Sequence, residues 1–341
     1  MRRTMLLLAF FALPLGAQET KFEEKVDVNL VLVDVTVTDS KGNQILGLTK
    51  DDFIVKEDGV AQALDSVDYF TNRRLLTDPE SKAAFKVERV RDERYFVLFF
   101  DKLTDTSFYP DFFSELMKAK QASLEFVQNE LLENDRVAIV GFDTRLKVYS
   151  DFTSDKKQLE RALNDAVKFS NGITKTDSPT ILKDLTRKQM DKPRNTYEAI
   201  KILAGTLQPI QARKVVVLFS PGIAENITST GFSQDETWYQ PMIHALNKAN
   251  ITVYPISLLR GVFHHPVFDS LSRMASDTGG DFYRDVVNYR MPLQKVENVN
   301  NGYYMVTYYA RKPAAKDGYQ RVQVSIKNPE FRVKARDGYP Y

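Results

Sequence analysis

Between Val26 and Phe70 the apolar residues alternate with polar ones rather than recurring at helical spacing. Val26, Val28, Leu30 and Leu32 are followed by Val35 and Val37, with Thr36 and Thr38 interleaved. A period of two is the mark of strands with one face buried. Ser40-Lys41-Gly42-Asn43 predicts a turn, Ile45 to Leu48 a short extended piece, and Phe53 to Lys56 a strand closed by Glu57-Asp58-Gly59. Residues 22–72 therefore read as an all-β segment of three to four strands. From 73 to 93 hydrophobicity falls and charge rises through Arg73, Arg74, Asp78, Glu80, Lys82 and Lys86, which predicts a linker.

After Arg94 the period changes. Tyr95 to Phe100 is a continuous apolar run ending in Asp101, as expected of a strand buried on both faces of a parallel sheet. The pattern then predicts a helix over Phe112 to Leu132, a strand over Arg136 to Phe142 ending in Asp143, and an extended piece over Leu146 to Phe152. Helices follow at Asp155 to Phe169 and Thr196 to Leu207, then a strand at Lys214 to Phe219. A helix at Glu236 to Ala249, a strand at Ile251 to Leu258, a helix at Val267 to Ser276 and a short strand at Asp281 to Tyr283 complete the run. Such alternation predicts an α/β domain over 94–298 with a doubly wound, mostly parallel, Rossmann-like sheet. Ser170 to Arg194 fits no element and reads as an insertion near the sheet's carboxyl edge, with Lys183 to Arg194 read as a solvated charged helix in preference to an exposed binding loop. From Tyr303 strands return, at Tyr304 to Tyr309, Tyr319 to Ile326 and Phe331 to Ala335. The C-terminal β segment, 299–341, is expected to pair with 22–72 into one small β domain into which the α/β domain is inserted.

Composition adds exclusions. The 47 basic and 45 acidic residues leave a formal charge of +2, so no global field favours nucleic acid or an anionic membrane. There is no cysteine, hence no disulfide, thiol nucleophile or lipidated cysteine. At the N-terminus Arg2 and Arg3 precede an apolar run from Met5 to Leu15 and the small residues Gly16 and Ala17. That run falls short of the ~20 residues of a spanning helix, so 1–17 is expected to be a cleaved export leader and the mature protein periplasmic or extracellular, without a membrane span. His264-His265 lacks the further ligands a metal site needs and reads as surface loop. Neither a Gly-x-Ser-x-Gly elbow nor a phosphate-binding glycine loop is present. The tyrosines at 303, 304, 308 and 309 read as cross-strand packing.

The segments VNLVLVDVTVTDSKGNQILGLTKDDFIVKEDG, RYFVLFFD, DRVAIVGFDT, VVVLFSPG, ITVYPISLL, DTGGDF and KARDGYP, in that order, resemble the acidobacterial-type VWFA-related proteins. Their core is a von Willebrand factor type A-like domain. The resemblance implies a ligand surface at the carboxyl ends of the strands. It also implies a divalent-metal site built from an Asp-x-Ser-x-Ser motif, a threonine from a second loop and an aspartate from a third, which suits Mg²⁺ or Mn²⁺. Here Asp101 matches the first ligand, but Leu103 and Asp105 hold the serine positions. Thr196 matches the threonine, and the third loop reads Phe219-Ser220-Pro221-Gly222, with Pro221 in place of the aspartate.

The expectation is thus a degenerate site that needs no cofactor, with Asp101, Asp105 and Thr196 the only candidates for weak Mg²⁺ or Mn²⁺ binding. Asp101, Asp105, Asp143, Thr196 and Ser220 are the candidate ligand-binding residues, with no catalytic residue assigned. The chain reads as an exported, non-enzymatic module that binds a protein partner through the carboxyl edge of its sheet. The alternatives are a metal-assisted hydrolase using the Asp101, Asp105 and Asp143 cluster and a structural component of an envelope assembly.

Overall fold

The computed structural model describes residues 29–71, 93–102, 110–223, 226–228, 231–233, 236–261, 267–310 and 318–340. The expected leader, nearly all of the expected linker, Leu103, Asp105 and the His264-His265 pair lie outside the described residues. The elements are β1 (Asn29–Thr38), β2 (Phe53–Glu57), β3 (Val60–Gln62), β4 (Leu64–Thr71), β5 (Arg94–Asp101), α1 (Phe112–Asn129), β6 (Asp135–Phe142), β7 (Leu146–Thr153), α2 (Lys156–Val167), the one-turn α3 (Arg187–Met190) and α4 (Thr196–Leu207). There follow β8 (Lys214–Ser220), β9 (Asn226–Thr228), β10 (Gly231–Ser233), α5 (Glu236–Lys248), β11 (Ile251–Ser257), α6 (Val267–Thr278), α7 (Arg290–Val299), β12 (Gly302–Ala310), β13 (Tyr319–Ile326), β14 (Arg332–Lys334) and β15 (Gly338–Pro340).

The continuous apolar runs become a five-stranded sheet in the order β11-β8-β5-β6-β7, parallel except for β7. Both faces are covered, which is why β5, β6 and β8 read as nearly continuous apolar runs, whereas the edge strand β7 carries Lys147, Ser150 and Asp151. Val97 and Phe99 of β5 pack with Ile200 and Leu203 of α4, Met242 and Leu246 of α5, and Leu271 of α6. Phe96, Leu98 and Phe100 turn the other way, onto Leu116 and Phe126 of α1, Leu163 of α2, and Leu293 and Val296 of α7. The expected doubly wound α/β class is therefore the observed one. Strand order reverses between β5 and β8, which places the crevice of such a sheet at their carboxyl ends.

Two antiparallel four-stranded sheets, β14-β1-β12-β4 and β15-β13-β2-β3, share the core of Val33, Val35, Phe53, Val55, Tyr304, Val306, Tyr308 and Val322. β12 lies between β1 and β4, with a register running from Asn29 opposite Ala310 to Val35 opposite Tyr304. The period-two reading of β1 holds, but its phase differs at the start. Val31, Val33, Val35 and Val37 are buried, whereas Leu30 and Leu32 are 47% and 43% exposed on the outer face.

Other differences have local causes. Ile45 to Leu48 forms no strand. Its Ile45 carbonyl and Leu48 N–H are instead satisfied by the Tyr304 hydroxyl, at 2.9 and 3.1 Å. The short strand at Asp281 to Tyr283 reduces to one parallel bridge between Tyr283 and Ile256. The pattern does not announce α7, because its buried aliphatic residues, Leu293 and Val296, sit among polar residues with Pro292 in the first turn, where proline is tolerated. The 170–194 stretch does not stay at the carboxyl edge. It runs along the outer edge of β7, where Ile173 N–H donates to the Val148 carbonyl at 2.7 Å, and reaches Asp151 near the strand's far end. The expected charged helix shrinks to α3, because Ile181, Leu185 and Met190 are drawn into the core.

The chain passes from the β sheets into the α/β layer and back at one place. Arg94, which opens β5, donates to Asp135 at 2.7 and 2.6 Å and to the Asn301 side chain at 2.7 Å. Glu297 at the end of α7 is 3.6 Å away, and all four side chains are buried. Thr71, at the end of β4, donates to the Asn301 carbonyl at 3.0 Å. Further ties from Asn250 to Asp34 and from Asn247 to Asp337 also lie at the amino edge of the five-stranded sheet, each at 2.9 Å. Gly280 sits where the chain passes the backbone of Val253, with no room for a Cβ. Replacing Arg94 by Met strands two buried carboxylates, so R94M is expected to lose about 3–5 kcal/mol in urea unfolding, part of it recovered in R94M/D135L. An unchanged midpoint in R94M would refute the clamp.

Candidate functional site

β5 and β8 are neighbours on either side of the strand-order reversal, so their last residues, Asp101 and Ser220, meet at the carboxyl edge. Helix α4 brings the third group. Asn195 caps it by accepting from the Glu198 N–H at 2.9 Å, and Thr196, its first residue, faces the strand ends. The Thr196 hydroxyl donates to Asp101 Oδ1 at 3.0 Å and the Ser220 hydroxyl donates to Oδ2 at 2.7 Å. Ser220 Oγ in turn accepts from the Gly222 N–H at 3.1 Å. Asp101 is only 3% exposed. Burial pushes its carboxyl up to about 7, against the two hydroxyl hydrogen bonds that favour the charged form.

Three of the five predicted residues, Asp101, Thr196 and Ser220, are thus brought into one hydrogen-bonded group. Asp143 is not part of it. It follows the end of β6, beside β5, but its carboxylate accepts from Lys147 Nζ and Thr144 N–H, both at 2.6 Å. Although partial burial raises it, these donors and the lysine charge hold Asp143 below the usual carboxylate range. Lys147 also donates to the Phe169 carbonyl at 2.8 Å, which locks the pair to the end of α2. Sequence reasoning overlooked Lys147, although the β6–β7 hairpin register, with Gly141 opposite Lys147, returns that side chain to Asp143. Asp105 lies outside the described residues.

The donor set among the described residues is one carboxylate, both of whose oxygens are taken by hydroxyls, and those two hydroxyls. Pro221 adds no side-chain oxygen. A hard divalent cation that keeps several of its waters still needs a carboxylate turned towards it, and here both oxygens of Asp101 already accept from hydroxyls. Among the described residues no group of three or more His, Cys, Asp or Glu is placed to hold a metal. A cleft of about 680 Å³ lies elsewhere, between α6, residues 279–284, β13 and the chain around β14.

Residues 104–223 match the family model of the von Willebrand factor type A domain. Among solved structures, a von Willebrand factor type A protein from Catenulispora acidiphila is similar over 93% of this chain and 73% of its own, at 10% identity and a TM-score of 0.43. An aerotolerance-related membrane protein from Bacteroides fragilis covers 61% of this chain and 98% of its own, at 14% identity and a TM-score of 0.39. The three N-terminal domains of the type V pili tip protein Mfa5 from Porphyromonas gingivalis match 92% of this chain and 68% of their own, at 9% identity and a TM-score of 0.39. No curated protein matches the sequence.

Because the carboxyl group of Asp101 is raised in the fold, the native state holds its proton where the unfolded chain has released it. Its contribution to stability is complete below the ordinary carboxylate value and is lost as pH rises through about 7. The isosteric D101N removes the charge and lets its amide oxygen accept from one hydroxyl while its NH2 donates to the other, which must reverse. It is expected to gain on the wild type by on the order of 2–4 kcal/mol between pH 4 and pH 8. Parallel urea-stability curves across that range would count against a buried, proton-retaining Asp101.

Proposed function

We propose that this chain, which carries a von Willebrand factor type A domain, is an exported binding module that engages a protein partner through the carboxyl edge of its five-stranded sheet. One observation carries the reading. Asp101, Thr196 and Ser220 converge at the carboxyl ends of β5 and β8, while the antiparallel sheets are tied to the opposite, amino edge through Arg94, Asn250 and Asn247. Open α/β sheets bind ligands at that carboxyl crevice.

The same geometry supports a site that works without an obligatory metal. Two hydroxyls already satisfy Asp101, and the second aspartate at this edge, Asp143, is neutralised by Lys147. A hydrolytic carboxylate cluster has correspondingly little support, since neither acid is free to activate water or hold a cation. Export rests on the basic and apolar pattern of 1–17. Among the described residues no helix is long and apolar enough to cross a membrane.

The test is crosslinking in the native envelope with wild type and with T144E/R260E, two exposed positions on the rim of this edge. Recovery of the crosslinked partner is expected to fall about tenfold, equivalent to ~1.4 kcal/mol. Unchanged recovery would move the interface to the antiparallel sheets. In parallel, calorimetric titration with Mg²⁺, Mn²⁺ and Ca²⁺ is expected to show no sub-millimolar binding. Binding that D101A abolishes would restore a metal site.

A further inference from the structure

We infer that the excursion between α2 and α4, residues 171–195, which leaves the carboxyl edge along β7 and returns to it, is a recognition element flanking this edge and that it takes a carboxylate-rich protein segment. The inference rests on the carboxyl edge being the interaction surface and names the chemistry of its partner.

The excursion is long, and α3 is its only helix, a single turn. Stretches of this length without regular structure are uncommon in compact domains and usually functional. It is nevertheless held firmly. Asp151 of β7, 1% exposed, accepts from the N–H groups of Thr180, Ile181 and Leu182 at 2.9, 3.0 and 3.1 Å. Ile181, Leu185 and Met190 are buried in the core. Gly172 passes so close to β7 that a Cβ there would come within 2.6 Å of the Val148 carbonyl oxygen. Arg145, in the turn between β6 and β7, pins both ends to the carboxyl edge by donating to Asn171 at 3.0 Å and to Asp191 at 3.4 Å. The chain then runs directly into Thr196 and its bond to Asp101.

What this anchored segment shows to solvent is charge. Lys175, Lys183, Arg187, Lys188, Lys192 and Arg194 are all exposed, against Asp177, Asp184 and Asp191. Six cations less three acids is a surplus of three, more than the +2 of the entire chain. Asp191 is already engaged by Arg145 and by Arg187, at 3.4 and 3.8 Å. None of the large exposed apolar side chains falls in 171–195, so the contact is electrostatic. A cationic segment with interleaved acids, on a chain otherwise slightly acidic, offers no continuous track to a long polyanion. It suits a short run of carboxylates met by arginine and lysine donors.

The test uses the full chain and a fluorescent octaglutamate peptide, with heparin as the competing polyanion. The wild type is expected to bind the peptide at low salt and to release it at 0.5 M salt, where screening is severe. R187E/K188E/K192E, three exposed positions, is expected to bind more than tenfold more weakly with an unchanged thermal midpoint. D184K, which removes an acid from the same surface, is expected to bind more tightly, and this arm stands even if the triple variant folds poorly. Equal affinity in wild type, triple variant and D184K would overturn the inference, as would heparin bound more tightly than the peptide through the same three residues. If the triple variant loses the peptide while T144E/R260E still captures the native partner undiminished, the edge reading fails and the loop chemistry stands.

Discussion

The buried ionic clamp around Arg94 is the constraint on which the rest of the molecule depends. The α/β layer is a long insertion between β4 and β12, two strands of which the second lies hydrogen-bonded to the first. For that pairing to survive, the insertion must begin and end at one point in space. Arg94 at the start, Glu297 and Asn301 at the finish, and Asp135 from the neighbouring strand hold that point together. Ion pairs this deep contribute little net stability over an apolar substitute, but leaving one member alone is costly, so the cluster stands only as a complete set.

From that clamp the polarity of the molecule follows. The antiparallel sheets occupy the amino edge of the five-stranded sheet, so the described residues at the carboxyl ends of β5 and β8 are not covered by them. At the strand-order reversal the two flanking strands end in Asp101 and Ser220, and α4 delivers Thr196. A buried carboxylate satisfied by two hydroxyls is a self-contained unit. It keeps the strand ends and the start of α4 in register.

Much of the fold was legible in the sequence because its signals are periodic. The apolar runs of β5, β6, β8 and β11 and the start of α4 at Thr196 were read within a residue or two. What was missed depends on partners distant in sequence. The buried phase of β1 is decided by β12 and not by β1's own alternation, in which both faces carry apolar residues at Leu30 to Val33. Helix α7 has too few core contacts to announce itself, and the basic stretch after α2 looked like a solvated helix until Asp151 drew its backbone onto β7.

The candidate site divides in the same way. The sequence alone determined that Asp101 ends a buried strand, that Ser220 directly follows one and that Thr196 opens a helix, because strand and helix boundaries are local properties of polarity and capping. It also determined that Pro221 brings no side-chain oxygen. Only the tertiary structure decided that both oxygens of Asp101 are closed by hydroxyls and that Asp143 turns away to Lys147. Those choices are made by side-chain geometry at distances of a few ångströms, set by how neighbouring strands are staggered, and no periodicity along the chain records that.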